Sequence, residues 1–124
     1  MSVSILVLTK NEEKDLPACL QSVAWSDDVV VYDSCSTDKT SEIARSQGVR
    51  VLERPFDNWS SHQNWGLRNI TFKNSWVFYI DADERLTPEA AAELQAIAGS
   101  PSLPFAAYRI RRRDFFQGRQ LKHV

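Results

Sequence analysis

The chain has 124 residues, 43% hydrophobic and 25% charged, the proportions of one folded domain and not of a disordered or fibrous segment. Fifteen basic residues against 16 acidic ones leave a net charge of −1, which argues against general polyanion binding. Two cysteines, Cys19 and Cys35, are too few for a disulfide scaffold, and the apolar start before Thr9 is too short for a secretory or membrane-spanning segment, so a reducing, cytoplasmic setting is expected.

Short β-like runs alternate with amphipathic stretches. Val3 to Leu8 is continuously apolar, as a strand covered on both faces should be. Glu12 to Val23 places Leu16, Cys19, Leu20 and Val23 at helical spacing, and Asp28 to Asp33 is the second predicted strand. Ser36 and Asp38 offer cap chemistry for a helix that carries Ile43 and Ala44 and stops at Gly48. Val49 to Glu53 is a short strand, Trp59 to Ile70 a helix, and Trp76 to Ile80 a strongly β-prone run. Thr87-Pro88 then opens a helix through Leu94 and Ile97 to Gly99, and Phe105 to Phe116 is expected to form a further strand. The four tryptophans, Trp25, Trp59, Trp65 and Trp76, are read mostly as core or helix-packing residues. This order predicts an α/β fold, one mainly parallel sheet with flanking helices, as a single domain over residues 1–124.

Sheets of this kind bind ligands at the carboxyl ends of their strands. Three polar clusters fall there: Thr9-Lys10-Asn11-Glu12, Asp33-Ser34-Cys35-Ser36 and Asp81-Ala82-Asp83-Glu84. Asp81 and Asp83 follow a buried strand, and paired carboxylates of this kind suit Mg²⁺ or Mn²⁺ and, through it, a diphosphate; the plain alternative is a solvated acidic loop. The Asp33 carboxylate could accept from a base or a ribose, whereas Asp38 reads as a helix cap. Asn11 and Glu12 either cap the first helix or hold a nucleoside. His62 and His123 have no partners at metal-ligand spacing, so zinc is not expected. Neither a Walker A motif nor a Gly-x-Gly-x-x-Gly fingerprint occurs.

In order, Val3-Ser4-Ile5-Leu6-Val7-Leu8-Thr9-Lys10-Asn11-Glu12, Val30-Val31-Tyr32-Asp33-Ser34-Cys35-Ser36-Thr37-Asp38-Lys39-Thr40 and Phe78-Tyr79-Ile80-Asp81-Ala82-Asp83-Glu84 resemble the motifs of family 2 glycosyltransferases. The resemblance covers residues 1 to about 100 and lies nearest to bacterial enzymes of lipopolysaccharide core and surface-glycan synthesis. It implies a Rossmann-like GT-A nucleotide-sugar-binding fold and an inverting, metal-assisted transfer from a nucleotide-diphosphate sugar, a UDP-sugar first, to a glycan or lipid-linked acceptor. It implies that Thr9, Asn11 and Glu12 line the nucleoside pocket, that Asp33 contacts uracil or ribose, that Asp81 lies near the ribose and that Asp83 binds Mn²⁺ or Mg²⁺. Where relatives often have two consecutive acids this chain has Asp33-Ser34, and in His62-Gln63-Asn64 it has Gln63 where they often have arginine.

The family's general base lies well downstream of the Asp-x-Asp strand, and neither Glu84 nor Asp114 matches its position. The base is therefore expected beyond Val124, and the chain reads as the donor-binding part of a longer enzyme. A nucleotide-sugar-binding module without catalysis is the alternative. From Phe105 onward six basic residues, Arg109, Arg111, Arg112, Arg113, Arg119 and Lys122, meet one acid, Asp114. This is either a solvated strand face or a contact for diphosphate or an anionic lipid-linked acceptor at the inner face of the membrane; nucleic acid is not expected as a partner.

Overall fold

A computed structural model describes residues 3–99 and the backbone of two short strands, Arg113–Phe116 and Arg119–Lys122. Four strands, β1 (Ser4–Thr9), β2 (Val29–Asp33), β3 (Arg50–Glu53) and β4 (Val77–Asp81), alternate with α1 (Leu16–Ser22), α2 (Thr40–Ser46) and α3 (Trp59–Asn69), and α4 (Pro88–Ala98) follows β4. The strands form one parallel sheet in the order β3-β2-β1-β4. The remaining strands, β5 (Arg113–Phe116) and β6 (Arg119–Lys122), pair antiparallel, Arg113 opposite Lys122 and Phe116 opposite Arg119. Only the end of the strand expected from Phe105 to Phe116 therefore falls within the described residues, and Arg109, Arg111 and Arg112 lie outside them.

The continuous apolar runs are explained by a sheet covered on both faces. Side chains alternate along a strand, so Ile5, Val7 and Val31 enter one core with Leu16, Cys19, Val23, Ala44, Leu94 and Ala98. Leu6, Val30 and Tyr32 enter the other core with Ile70, Trp65 and Phe72. Helices α1, α2 and α4 thus cover one face and α3 the other. The connections β1-α1-β2-α2-β3 step outward in one direction, and α3 carries the chain back across to β4 on the far side of β1. Right-handed crossovers running in opposite directions must put their helices on opposite faces. The reversal makes the space between the carboxyl ends of β1 and β4 the switch point of the sheet.

Two local features differ from the sequence reading. The first helix begins at Leu16, not Glu12, with Pro17 in its first turn and no side-chain cap from Asp15. The backbone N–H groups of Asn11, Glu12 and Glu13 are taken instead by Ser36 Oγ (2.7 Å), Thr40 Oγ1 (2.9 Å) and Asp38 Oδ2 (3.2 Å). Trp59, expected to be packed, is 60% exposed and meets Phe56 edge to face at 5.2 Å. Thr87 does cap α4, accepting from the Ala90 N–H at 3.1 Å, and Gly48 ends the α2 turn with φ +78°.

Candidate functional site

The carboxyl ends of β1 and β2 are knotted together by side chains from their own loops. Asp33, fully buried, accepts from Thr9 Oγ1 at 2.6 Å, Ser36 Oγ at 2.6 Å and the Ser36 N–H at 2.7 Å. Ser36 therefore braces Asp33 and does not cap α2, whereas Asp38 accepts from the N–H of Thr40, the first residue of α2, at 2.9 Å. Asn11 Oδ1 accepts from the Thr37 N–H at 2.8 Å and the Asp38 N–H at 3.3 Å. Lys10 Nζ donates to the carbonyls of Ser34 and Cys35, at 3.0 and 3.1 Å. Asn11 and Cys35 have φ of 54° and 56°, a left-handed conformation that asparagine tolerates and cysteine adopts at a cost of about 1 kcal/mol. Of the residues expected to touch a donor, Thr9 Oγ1, the Asp33 carboxylate and Asn11 Oδ1 thus bond within the walls of the site, while Asn11 itself is exposed.

Glu12 and the acids after β4 form a second group. Asp81 ends β4, and its N–H donates to Glu84 Oε1 at 3.0 Å while its carbonyl accepts from the Glu84 N–H at 2.9 Å, a tight turn that folds Glu84 back. Single carboxylate oxygens of Asp81, Asp83 and Glu84 come within 4.8 Å of one another, and Asp83 is exposed. Glu12, half-buried beyond the end of β1, has its carboxyl held above the ordinary 4.5 by burial and then by the negative charges of Asp83, Asp15, Asp81 and Asp38. The same field reaches Cys19 beneath, whose thiol is pushed up to about 12 by burial and then by Glu84, Asp83, Asp81 and Glu12, leaving it inert packing. Oxygen donors clustered this closely fit a hard divalent cation, with positions left for water and phosphate oxygens.

A raised folded-state pKa on a carboxyl costs stability when the group ionises. Below its unfolded pKa Glu12 is neutral in both states, and stability is lost as pH rises through the raised folded value. Glu12→Gln should therefore raise stability at pH 7, with the advantage gone below a pH of about 4. Urea unfolding of both chains at the two pH values measures it; equal stabilities at pH 7 would refute the electrostatic assignment.

Sequence reasoning missed one group beside this site. His62, on α3, is buried against Tyr32 and contacts Ser34 and Arg54. A lone histidine in a polar helix carries no such signal; only its position one turn after the Asn58 cap, which accepts from the Ser61 N–H at 2.9 Å, fixes it to the inner face. Asn64 is exposed on the same helix. At the opposite end of the strands a cleft of about 370 Å³ is lined by Asp28, Arg50 and Lys73 among others. Its groups are already engaged: Asp28 binds Arg50 at 2.9 Å and accepts from the Lys73 backbone N–H at 2.8 Å, and Lys73 Nζ donates to the Asp27 carbonyl at 3.3 Å, so it does not compete as a site.

An open parallel sheet with polar loops knotted at its carboxyl edge and three clustered acids at its switch point defines an α/β domain of the ligand-binding, cation-compatible class. The comparisons with known proteins make this specific. The chain belongs to glycosyl transferase family 2, whose family model matches residues 4–123. It is 35% identical over 111 residues to an uncharacterized glycosyltransferase of Rickettsia bellii, covering 88% of this chain and 37% of that protein. It is 28% identical over 123 residues to the lipopolysaccharide core biosynthesis glycosyltransferase LpsC of Rhizobium meliloti, covering 95% of this chain and 44% of that protein. Among solved structures, S. aureus TarS 1–349 superposes with a TM-score of 0.59 at 27% identity, over 77% of this chain and 32% of that one. Mycobacterium tuberculosis glucosyl-3-phosphoglycerate synthase in complex with Mn²⁺ and UDP-glucose gives 0.54 at 25%, over 66% and 33%. The fold is thus the Rossmann-like GT-A fold expected from the sequence. The chain spans roughly two-fifths of the length of the first of these relatives. Among the described residues no helix is long and apolar enough to cross a membrane.

Proposed function

We propose that this chain carries the donor-binding part of a glycosyltransferase that moves a sugar from a nucleoside diphosphate, a uridine diphosphate first, to a glycan or lipid-linked acceptor with inversion. The observation that carries the reading is the cluster of Asp81, Asp83 and Glu84 beyond β4, at the switch point of the sheet, with the charges of Asp81 and Asp83 acting on Glu12 beyond β1. The complex of a 25%-identical structural neighbour with Mn²⁺ and UDP-glucose supports the donor class, and the likeness to LpsC supports a surface-glycan acceptor.

Asp83, with Asp81 and Glu84, would hold Mn²⁺ or Mg²⁺, which when bound supplies Lewis-acid stabilisation of the charge growing on the departing diphosphate. The knot of Thr9, Asp33 and Ser36 fixes the two loops that wall the nucleoside side, so that little ordering is left for the moment of binding. Lys10, pinned to two backbone carbonyls, locks the Ser34–Cys35 turn against β1. Glu12 adds negative potential that favours a cation over an anion at the open end of the crevice.

Calorimetric titration of the purified chain with uridine diphosphate tests the reading. Saturable binding in Mn²⁺ that a chelator abolishes is the expected result, and no heat in the presence of Mn²⁺ overturns it. A guanosine or thymidine diphosphate that binds more tightly changes only the base.

A further inference from the structure

A buried ring links α3 to the carboxyl end of β2, and donor binding as described above makes no use of it. His62, 2% exposed, lies flat on Tyr32 with ring centroids 4.0 Å apart and planes 6° apart. The Tyr32 hydroxyl donates to the His62 carbonyl at 2.8 Å, so ring and backbone are held together. His62 Nδ1 lies 3.1 Å from Arg54 Nη1, and its Nε2 lies 3.4 Å from Ser34 Oγ. Arg54 is itself gripped by both oxygens of Asp57, each at 3.1 Å.

The donor inventory gives this chain of contacts a direction. A guanidinium has only donors and keeps its protons, so Nδ1 must accept. The ring is then neutral with its proton on Nε2, a state also favoured by burial and by the Arg54 charge, which outweigh Asp57 and lower the His62 pKa. Nε2–H donates to Ser34 Oγ. The hydroxyl hydrogen of Ser34 is left to donate elsewhere, and among the described residues Oγ has no other hydrogen-bond partner. Ser34 stands one residue past β2, where the donor-side loops meet. A carboxylate in this place could only accept; Ser34 backed by His62 presents a hydrogen.

We infer, resting on the donor-binding reading above, that Ser34 is a specificity-determining residue for the nucleobase and His62 its positioning residue. Together they select bases that offer a carbonyl oxygen on the edge they read (uracil, thymine, guanine) over bases with an amino group there (cytosine, adenine). An amino group can only donate: it would meet the second lone pair of Ser34 Oγ and leave the Ser34 hydrogen without an acceptor, an unsatisfied donor that discriminates more strongly than shape.

The test is calorimetry in Mn²⁺ with the diphosphates of uridine, cytidine, guanosine and adenosine, and with inorganic pyrophosphate as the base-free probe. For the unaltered chain the tightest nucleotide should carry a keto base and bind at least about tenfold more tightly than its amino counterpart. Ser34→Ala, which removes one nearly buried hydroxyl and little packing, should shrink that ratio to within about threefold and leave pyrophosphate affinity unchanged. His62→Phe keeps a flat ring on Tyr32 and should shrink it likewise, whereas His62→Gln, with an amide N–H to offer Ser34, should restore part of it. An amino-base preference, or a full keto preference in Ser34→Ala, overturns the proposal. Tight nucleotide binding without any base preference overturns it alone, whereas nucleotides that bind no better than pyrophosphate overturn the donor-binding reading together with it.

Discussion

Replacing Asp83 with alanine should lower the Mn²⁺-dependent affinity for uridine diphosphate by about 100-fold while leaving the chain as stable as before. The size follows from what a ligand loss must exceed: removing even an outer-shell partner of a bound metal typically costs 10- to 100-fold. The lack of a stability cost follows from position. Asp83 is exposed, two residues past β4, and contributes nothing to either core. Its charge also raises the Glu12 pKa, so its removal relieves repulsion and the melting temperature should hold or rise slightly. A chelator should weaken binding by the unaltered chain and have almost no further effect on Asp83→Ala, since both remove the same interaction. A collapse in melting temperature would make Asp83 structural; a full chelator effect in the variant would move the metal to other ligands. Glu84→Gln gives a graded control. The amide can still accept the Asp81 N–H, so the turn survives, while one charge of the cluster is lost.

The strands were legible because their cause is local. Ile5 to Val7 and Val30 to Tyr32 are apolar without interruption, which only a sheet buried on both faces explains, and the polar residues that end each run mark the carboxyl edge. Asp81 and Asp83 were legible for the same reason, being adjacent to the strand that positions them. What the sequence hid depends on partners far along the chain. Glu12 to Asp15 is compatible with helix, and the Leu16 N–H does reach the Glu12 carbonyl at 2.9 Å, yet α1 starts at Leu16 because Pro17 has no N–H to give Glu13; Ser36, Thr40 and Asp38, 25 to 28 residues away, hold the N–H groups of the loop before it. Ser36 has the chemistry of a cap and is taken instead by Asp33. Trp59 suggests packing by composition, but the first turn of α3 turns it outward, while His62 from the same turn goes in. No periodicity within a polar helix reveals that Tyr32, thirty residues earlier, waits to stack on it.

Asp33 marks the sharpest divide between what a residue type suggests and what its surroundings make of it, and Asp33→Ala should cost about 3 kcal/mol of stability. A carboxylate at a strand end reads as a ligand contact. Here it is fully buried and accepts three hydrogen bonds, from Thr9 Oγ1, Ser36 Oγ and the Ser36 N–H. Bonds to a charged acceptor contribute about 1.5–3 kcal/mol each, and donors stranded by its loss pay desolvation. The truncated site can collapse in part and the terms overlap, so the sum is far from additive and about 3 kcal/mol is the expected net. For a domain of this size that lowers the melting temperature by roughly 15 °C. Asp33→Asn separates charge from shape. Its amide oxygen can keep Thr9 Oγ1 and Ser36 Oγ, but its nitrogen would face the Ser36 N–H, donor against donor, so the loss should fall between those of the unaltered chain and alanine. Thermal melts of the three chains, followed by uridine diphosphate titration well below each transition, separate the two roles. With Asp33 as the brace of the loops, stability falls in the order Asp, Asn, Ala, and affinity falls only as far as the loops loosen. An unchanged melting temperature with affinity lost outright in both variants would instead return Asp33 to direct contact with the donor, with Thr9 and Ser36 as its supports.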